Sequence, residues 1–210
     1  MNLHIFGDSW AAGAELEINE NYFGYYLANS LNYDNTFNIS ESGNSLGIIC
    51  KDVLDNIHNI NSEDHVVVIV PPDVRWYTED NGHFYAIYPD TKEWKNLVYP
   101  NKTIEWFKYH HSLFIFSIIE ALKKTKAKFV LAHNYGSLDI KYDIVDKSYF
   151  LSELSLTGLL CGVDTWNNYP DDKFEDCGPV FPGQYFEGKD DHPNDLGHQK
   201  IAELLFNRFI

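Results

Sequence analysis

A parallel β-sheet with helices on both faces, an α/β fold, is the architecture this sequence predicts. Two observations predict it. Short apolar segments alternate with segments of helical periodicity, and "HVVVIV" (65–70) is an unbroken β-branched run of the kind buried on both faces of a sheet.

The elements follow in chain order. "NLHIF" (2–6) reads as a first strand, and "NYFGYYLANSL" (21–31) as a short helix with Phe23, Tyr26 and Leu27 on one side. "NTFNIS" (35–40) is a second strand, with Gly43 just beyond it. "SLGIICKDVLDNIHNI" (45–60) repeats Leu46, Ile49, Val53, Ile57 and Ile60 at helical spacing before the third strand, "HVVVIV". Segment 71–102 is too long for a plain connection. Within it "WYTEDNGHFYAIY" sets an Asn-Gly pair between alternating aromatic runs, which predicts a β-hairpin, and "YPDTKEWKNLVYP" adds a third strand to make an inserted meander. "TIEWFKYHHSLFIFSIIEALKKT" (103–125) is a long helix whose terminal lysines complement its dipole, and "KFVLAH" (128–133) is the fourth core strand. The Gly-, Pro- and Asp-rich stretch 158–190 predicts an irregular loop. In "GKDDHPNDLGHQKIAELLFNRFI", Asn194 is a cap and Asp195 a first-turn charge for a last helix with Ile201, Leu204, Leu205 and Phe209 as its apolar stripe.

Length and composition fit a single domain over 1–210 with one insertion, since 44% of the 210 residues are hydrophobic. With 31 acidic against 16 basic residues the formal charge is −15, which repels phosphate backbones and anionic headgroups, so neither nucleic acid nor membrane is an expected partner. No apolar run approaches the roughly 20 residues of a membrane span. The first residues lack a basic region followed by an apolar one, so a cytoplasmic or virion-associated protein, bacterial or phage-borne, is expected. Cys50, Cys161 and Cys177 lack metal-ligand spacing and read as reduced, partly buried thiols; no metal or other cofactor is expected.

In open parallel sheets, sites form at the carboxyl ends of strands. Ser9, Gly43, Asp73 and Asn134 each fall just after a predicted strand, so the fold gathers them at one edge. His192 precedes Pro193, which pushes its backbone toward an extended conformation and displays the ring at the mouth of the last helix. Asp190, two residues earlier on an extended segment, lies on the same side and can accept a proton from one ring nitrogen while the other faces outward. Asp191 points the opposite way.

A Gly-Asp-Ser block after the first strand ("HIFGDSW"), a Ser-Gly block after the second ("ESGNS") and an Asp/His-Pro block before the last helix ("DDHPNDLGH") occur in that order. In this the chain resembles the SGNH (GDSL-type) hydrolase superfamily of esterases, lipases and carbohydrate deacetylases, over almost its whole length. The resemblance implies a three-layer α/β/α domain with a flavodoxin-like parallel sheet. It implies Ser9 as nucleophile, His192 as general base and Asp190 as the acid behind it, with the backbone N–H groups of Ser9 and Gly43 as oxyanion donors. The family's Gly-x-Asn-Asp block is represented by "VVVIVPPDVRWY", which puts Asp73 at about the place of an asparagine donor and leaves Arg75 or Asn44 to compensate. The acid sits two residues before the histidine, as in some branches, because Lys189 occupies the commoner position.

The expected substrate is therefore a small-molecule or glycan ester, with an O-acetyl group on carbohydrate preferred. The alternatives are a non-catalytic binding or structural module on the same fold, and an O-acyltransferase using the same triad. Trp76, Tyr77, Phe84, Tyr85, Tyr88, Trp94 and Tyr99 crowd the insertion and are read mostly as packing it onto the core, with one or two left for a sugar face. His111, on the apolar stripe of its helix, is read as a hydrogen-bonded core histidine. His198 is placed on the surface, and His133 and Asn134 either line the pocket or serve as caps.

Overall fold

The computed structural model describes residues 1–14, 16, 17, 19–71, 76–80, 83–87, 104–134, 144–161, 185–187 and 192–210; of residues 76, 78–80, 83–87, 104, 161, 186 and 187 it describes the backbone alone. Four strands form the expected parallel sheet: β1 (Asn2–Gly7), β2 (Asn35–Ser40), β3 (His65–Val70) and β6 (Lys128–His133), in the order β2-β1-β3-β6. The segments 35–40, 65–70 and 128–133 coincide with their predicted strands residue for residue. Between β3 and β6 come the antiparallel pair β4 (Trp76–Asp80) and β5 (His83–Ile87), the two strands that flank the predicted Asn-Gly pair; Asn81 and Gly82 themselves lie outside the described residues.

Period-2 alternation divides the core between the two faces. Val66, Val68 and Val70 of β3 face a cluster with Phe6, with Leu46, Ile49 and Val53 of α3 (Leu46–Asn56), and with Ile115, Ile118 and Leu122 of α4 (Ile104–Thr125). Val67 and Ile69 face the other cluster, which holds Trp10 of α1 (Ser9–Ala12), Phe23 and Leu27 of α2 (Phe23–Leu31), Leu156 of α5 (Leu156–Cys161) and Ile201 and Leu205 of α6 (Asp195–Phe209). Every residue of β3 is buried, which is why its sequence shows no polar alternation.

The hairpin is anchored to this frame through Tyr77. A side chain on Gly47 of α3 would strike the Tyr77 ring at 2.2 Å, and the same ring meets Phe114 of α4 edge-on at 6.1 Å. Tyr77 thus packs the insertion onto the core, as expected for most of the aromatic group; the other ring positions of the insertion, and the third meander strand in 88–100, lie outside the described side chains or residues.

Three sequence expectations are refined. The helix expected over 45–60 ends at Asn56 and tightens into a 3₁₀ turn at Ile57–Asn59. The loop expected over 158–190 begins inside α5 and includes β7 (Phe186–Glu187), while 162–184 and 188–190 lie outside the described residues. His198 is fully buried rather than on the surface, because with Ile201, Ala202, Leu205 and Phe209 it shares the face of α6 that meets the sheet. No helix among the described residues is long and apolar enough to cross a membrane.

Candidate active site

The site is built where β1 ends. Gly7 leaves the strand in a place too tight for a side chain, with Ala11 Cβ 2.6 Å and Ile69 Cβ 2.9 Å from where a Cβ would stand. Asp8 follows in an extended conformation (φ −103°, ψ −151°) and caps α1, its Oδ1 accepting from Trp10 N–H at 3.2 Å. Ser9 is therefore the first residue of α1, with only 6% of its surface exposed. The N–H of a first-turn residue has no carbonyl within its own helix to bond. Neither that N–H nor the Ser9 hydroxyl makes a hydrogen bond among the described residues.

Beyond β2 the chain makes a turn closed by Asn44 N–H to Glu41 O at 3.2 Å. Gly43 takes its third position at φ 85°, a conformation that a type II turn demands and that glycine adopts without steric cost. Asn44 is buried, and its carboxamide donates to Gly7 O at 3.3 Å, which pins this turn against the end of β1 beside Ser9. The Gly43 N–H likewise has no partner among the described residues.

His192 and Pro193 form β8 (His192–Pro193), antiparallel to β7 with Glu187 opposite His192, so the segment is extended as the proline requires. The strand is held on both sides: Asn194 N–H donates to Tyr185 O at 2.9 Å, and Asn194 caps α6 by accepting from Gly197 N–H at 2.9 Å. α1 and β8 are neighbours, with Cα atoms within 8 Å of one another. The fold thus brings together the elements that carry Ser9, Gly43, Asn44 and His192. Asp73, Arg75, Asp190 and Asp191 lie outside the described residues.

A buried polar network stands behind these groups. Asp8 and Asn134 are both 0% exposed, and Asn134 Nδ2 donates to Asp8 Oδ2 at 2.8 Å. Asn134 N–H donates to Val70 O at 3.2 Å, while its carbonyl accepts from Thr157 N–H at 3.1 Å and from Thr157 Oγ at 2.7 Å. One residue so joins the ends of β3 and β6, the start of α5 and the cap of α1. The sequence reading assigned Asp8 no role of its own; the signal was present, since a short acid one residue before a helix-opening serine is a cap by position.

Burial keeps two histidines near the site neutral, His198 and His133. His198 Nδ1 accepts from Phe23 N–H at 3.3 Å, and burial holds its pKa down to about 4, against the pull of Asp195 and with a push from His192. His133 is held down to about 3, by burial and then by His111. His111 Nε2–H donates to Pro71 O at 3.1 Å, the core hydrogen bond expected of it. Burial pushes the Cys50 thiol up to about 11, so it is not an activated nucleophile at neutral pH. Among the described residues no three His, Cys, Asp or Glu side chains cluster as a metal site.

No family model matches this chain, and no curated protein matches it in sequence. Solved structures do match it. The chain is similar to TesA at 12% identity and TM-score 0.57, over 100% of this chain and 98% of that one. A member of the lipolytic protein G-D-S-L family from Veillonella parvula matches at 14% identity and TM-score 0.53, over 99% and 97%. So does a carbohydrate esterase whose active site displays divergent catalytic and non-catalytic binding functions, at 14% identity and TM-score 0.52, over 99% of this chain and 64% of that one. The chain has the α/β/α fold of the SGNH (GDSL-type) hydrolases.

Proposed function

We propose that this protein is a serine ester hydrolase of SGNH type, acting on short acyl esters such as O-acetyl groups on carbohydrate. The observation that carries the reading is the setting of Ser9. A serine opens α1 at the end of a central strand, beside a glycine turn pinned to that strand and next to the strand of His192.

Ser9 Oγ attacks the ester carbonyl as its proton passes to His192 Nε2, and a tetrahedral oxyanion forms. The N–H groups of Ser9 and Gly43 are rigid donors with nothing else to bond among the described residues, which suits them to that charge. The imidazolium returns its proton to the leaving alcohol, and water then repeats the sequence in reverse to free the acid and the serine. His192 Nδ1 is buried, the side on which the orienting acid, Asp190, belongs. In resting enzymes the serine–histidine hydrogen bond is often long and tightens with substrate.

The test is hydrolysis of p-nitrophenyl acetate and acetylated glycans, together with labelling by a fluorophosphonate, in the wild type and Ser9→Ala. Hydrolysis and labelling that both disappear in the variant are expected. A wild type inert to the ester panel and to the probe overturns the reading.

A binding module on the same fold is the second reading, favoured by Asp73 where the family places an asparagine donor. A carboxylate there opposes a developing negative charge, and one missing donor costs about 10²–10³-fold in rate. The fluorophosphonate separates the two readings, because only an activated serine reacts. If the acyl group is found on an added glycan rather than in water, the chemistry is acyl transfer by the same groups.

A further inference from the structure

We propose that Asn134 is a positioning residue for Ser9: through its carboxamide on Asp8 it fixes the direction in which the Ser9 hydroxyl and backbone N–H point. The inference rests on the reading of Ser9 as a nucleophile and adds to it a residue 125 positions away along the chain.

The geometry runs from one carboxylate in two directions. Asp8 Oδ1 reaches over Ser9 to the N–H of Trp10, and Trp10 is itself 1% exposed in the core. Ser9 is therefore bracketed between two anchored residues, and its orientation follows the Asp8 carboxylate plane. The terminal torsion of an aspartate is broad and two-fold, so a cap on one oxygen does not by itself fix that plane. Asn134 Nδ2 on Oδ2, at 2.8 Å, supplies the second point.

Asn134 is able to act as a fixed point because its own backbone is held at both ends, by Val70 O and by Thr157. Its carboxamide is also the right chemistry. It donates to a carboxylate without bringing a positive charge that would compete for that carboxylate, or a negative one that would oppose an oxyanion beside Ser9. Two-point fixation matters because displacing a reacting group by about 1 Å costs on the order of 10²-fold in rate.

The test exchanges the partners. Asn134→Ala, Asn134→Asp and the double exchange Asp8→Asn/Asn134→Asp are purified, their thermal melts recorded, and their kcat and KM on p-nitrophenyl acetate and rates of fluorophosphonate labelling measured well below the melting transition. The exchange keeps an oxygen for the Trp10 N–H and an amide-to-carboxylate bond between positions 8 and 134, with the polarity reversed. We expect each single variant to lose about 10²-fold in kcat and in labelling rate with KM little changed. The exchange should recover at least about tenfold of that loss. Folded single variants that label at the wild-type rate, or an exchange no faster than either single variant, overturn the inference while leaving the esterase reading intact. A wild type that does not label overturns the esterase reading first.

Discussion

Each end of the sheet buries a carboxylate, and the two are used in opposite ways. At the amino end Asp64, 2% exposed, accepts from Asn2 N–H at 2.8 Å, Asn2 Nδ2 at 3.1 Å, Asn61 N–H at 3.0 Å and Asn61 Nδ2 at 3.5 Å, with His4 Nε2 at 3.4 Å. Burial alone would raise its pKa, but the N–H groups of Asn61 and Asn2 outweigh that and hold it below the usual carboxylate range. His4 beside it is held down by burial, so the contact is one of a neutral ring with a carboxylate rather than an ion pair. The cluster locks the start of β1 to the turn before β3. At the carboxyl end Asp8 is tied by Trp10 and Asn134, and the next residue presents a hydroxyl and an N–H that nothing among the described residues occupies. A polar cluster whose donors converge on one carboxylate is a clasp, whereas one that holds its neighbours rigid and leaves donors open beside it is suited to chemistry.

Four perturbations test that contrast, in order of expected size. Ser9→Ala should lower ester hydrolysis on the order of 10⁶-fold while leaving the urea midpoint near wild type, since the side chain makes no hydrogen bond among the described residues. Asp64→Ala should do the reverse. It strands several buried donors at once, so unfolding in urea should show a loss of about 4 kcal/mol, with kcat unchanged in the protein that remains folded; a drop in kcat at full folding would break the contrast.

Acid should act through the histidines. His198 and His133 have native pKa values, about 4 and about 3, below the unfolded value near 6.5, so between these limits the unfolded chain binds more protons. Stability is full above about pH 6.5 and is lost as the pH falls, each group contributing about 3–5 kcal/mol. His198→Gln should flatten the slope of stability against pH between 6.5 and 4 by up to one proton; an unchanged slope places the acid sensitivity elsewhere. Smallest is Gly43→Ala, where a side chain at φ 85° costs about 1–2 kcal/mol in a melt and displaces the proposed oxyanion donor, so activity should fall more than stability does.

What could be read in advance followed local periodicity. The three strand segments 35–40, 65–70 and 128–133, the antiparallel pair flanking Asn-Gly and the Asn194 cap each depend on a few adjacent residues, and each stands as the chain alone implied. What escaped was carried by pairs far apart. α2 begins at Phe23, its flanking Tyr22 offers no side-chain cap, and the first N–H of the helix is met by the buried His198, 175 residues away. No window along the sequence contains both partners. The Asp8–Asn134 bond is the same kind of fact, spanning 126 residues. Of the candidate site, Ser9, Gly43 and His192 announced themselves through short blocks, while the network that holds Ser9 in place did not.

The tie between Asp8 and Asn134 has a consequence for biosynthesis. Asp8 is made 126 residues before the asparagine that ties it down, and the histidine proposed to activate Ser9 is made later still. A nascent or truncated chain ending before β6 therefore carries a serine with no steadying partner. On the proposed reading, reactivity at Ser9 arises only after β6 and α6 have both been made, so the order of synthesis itself delays it.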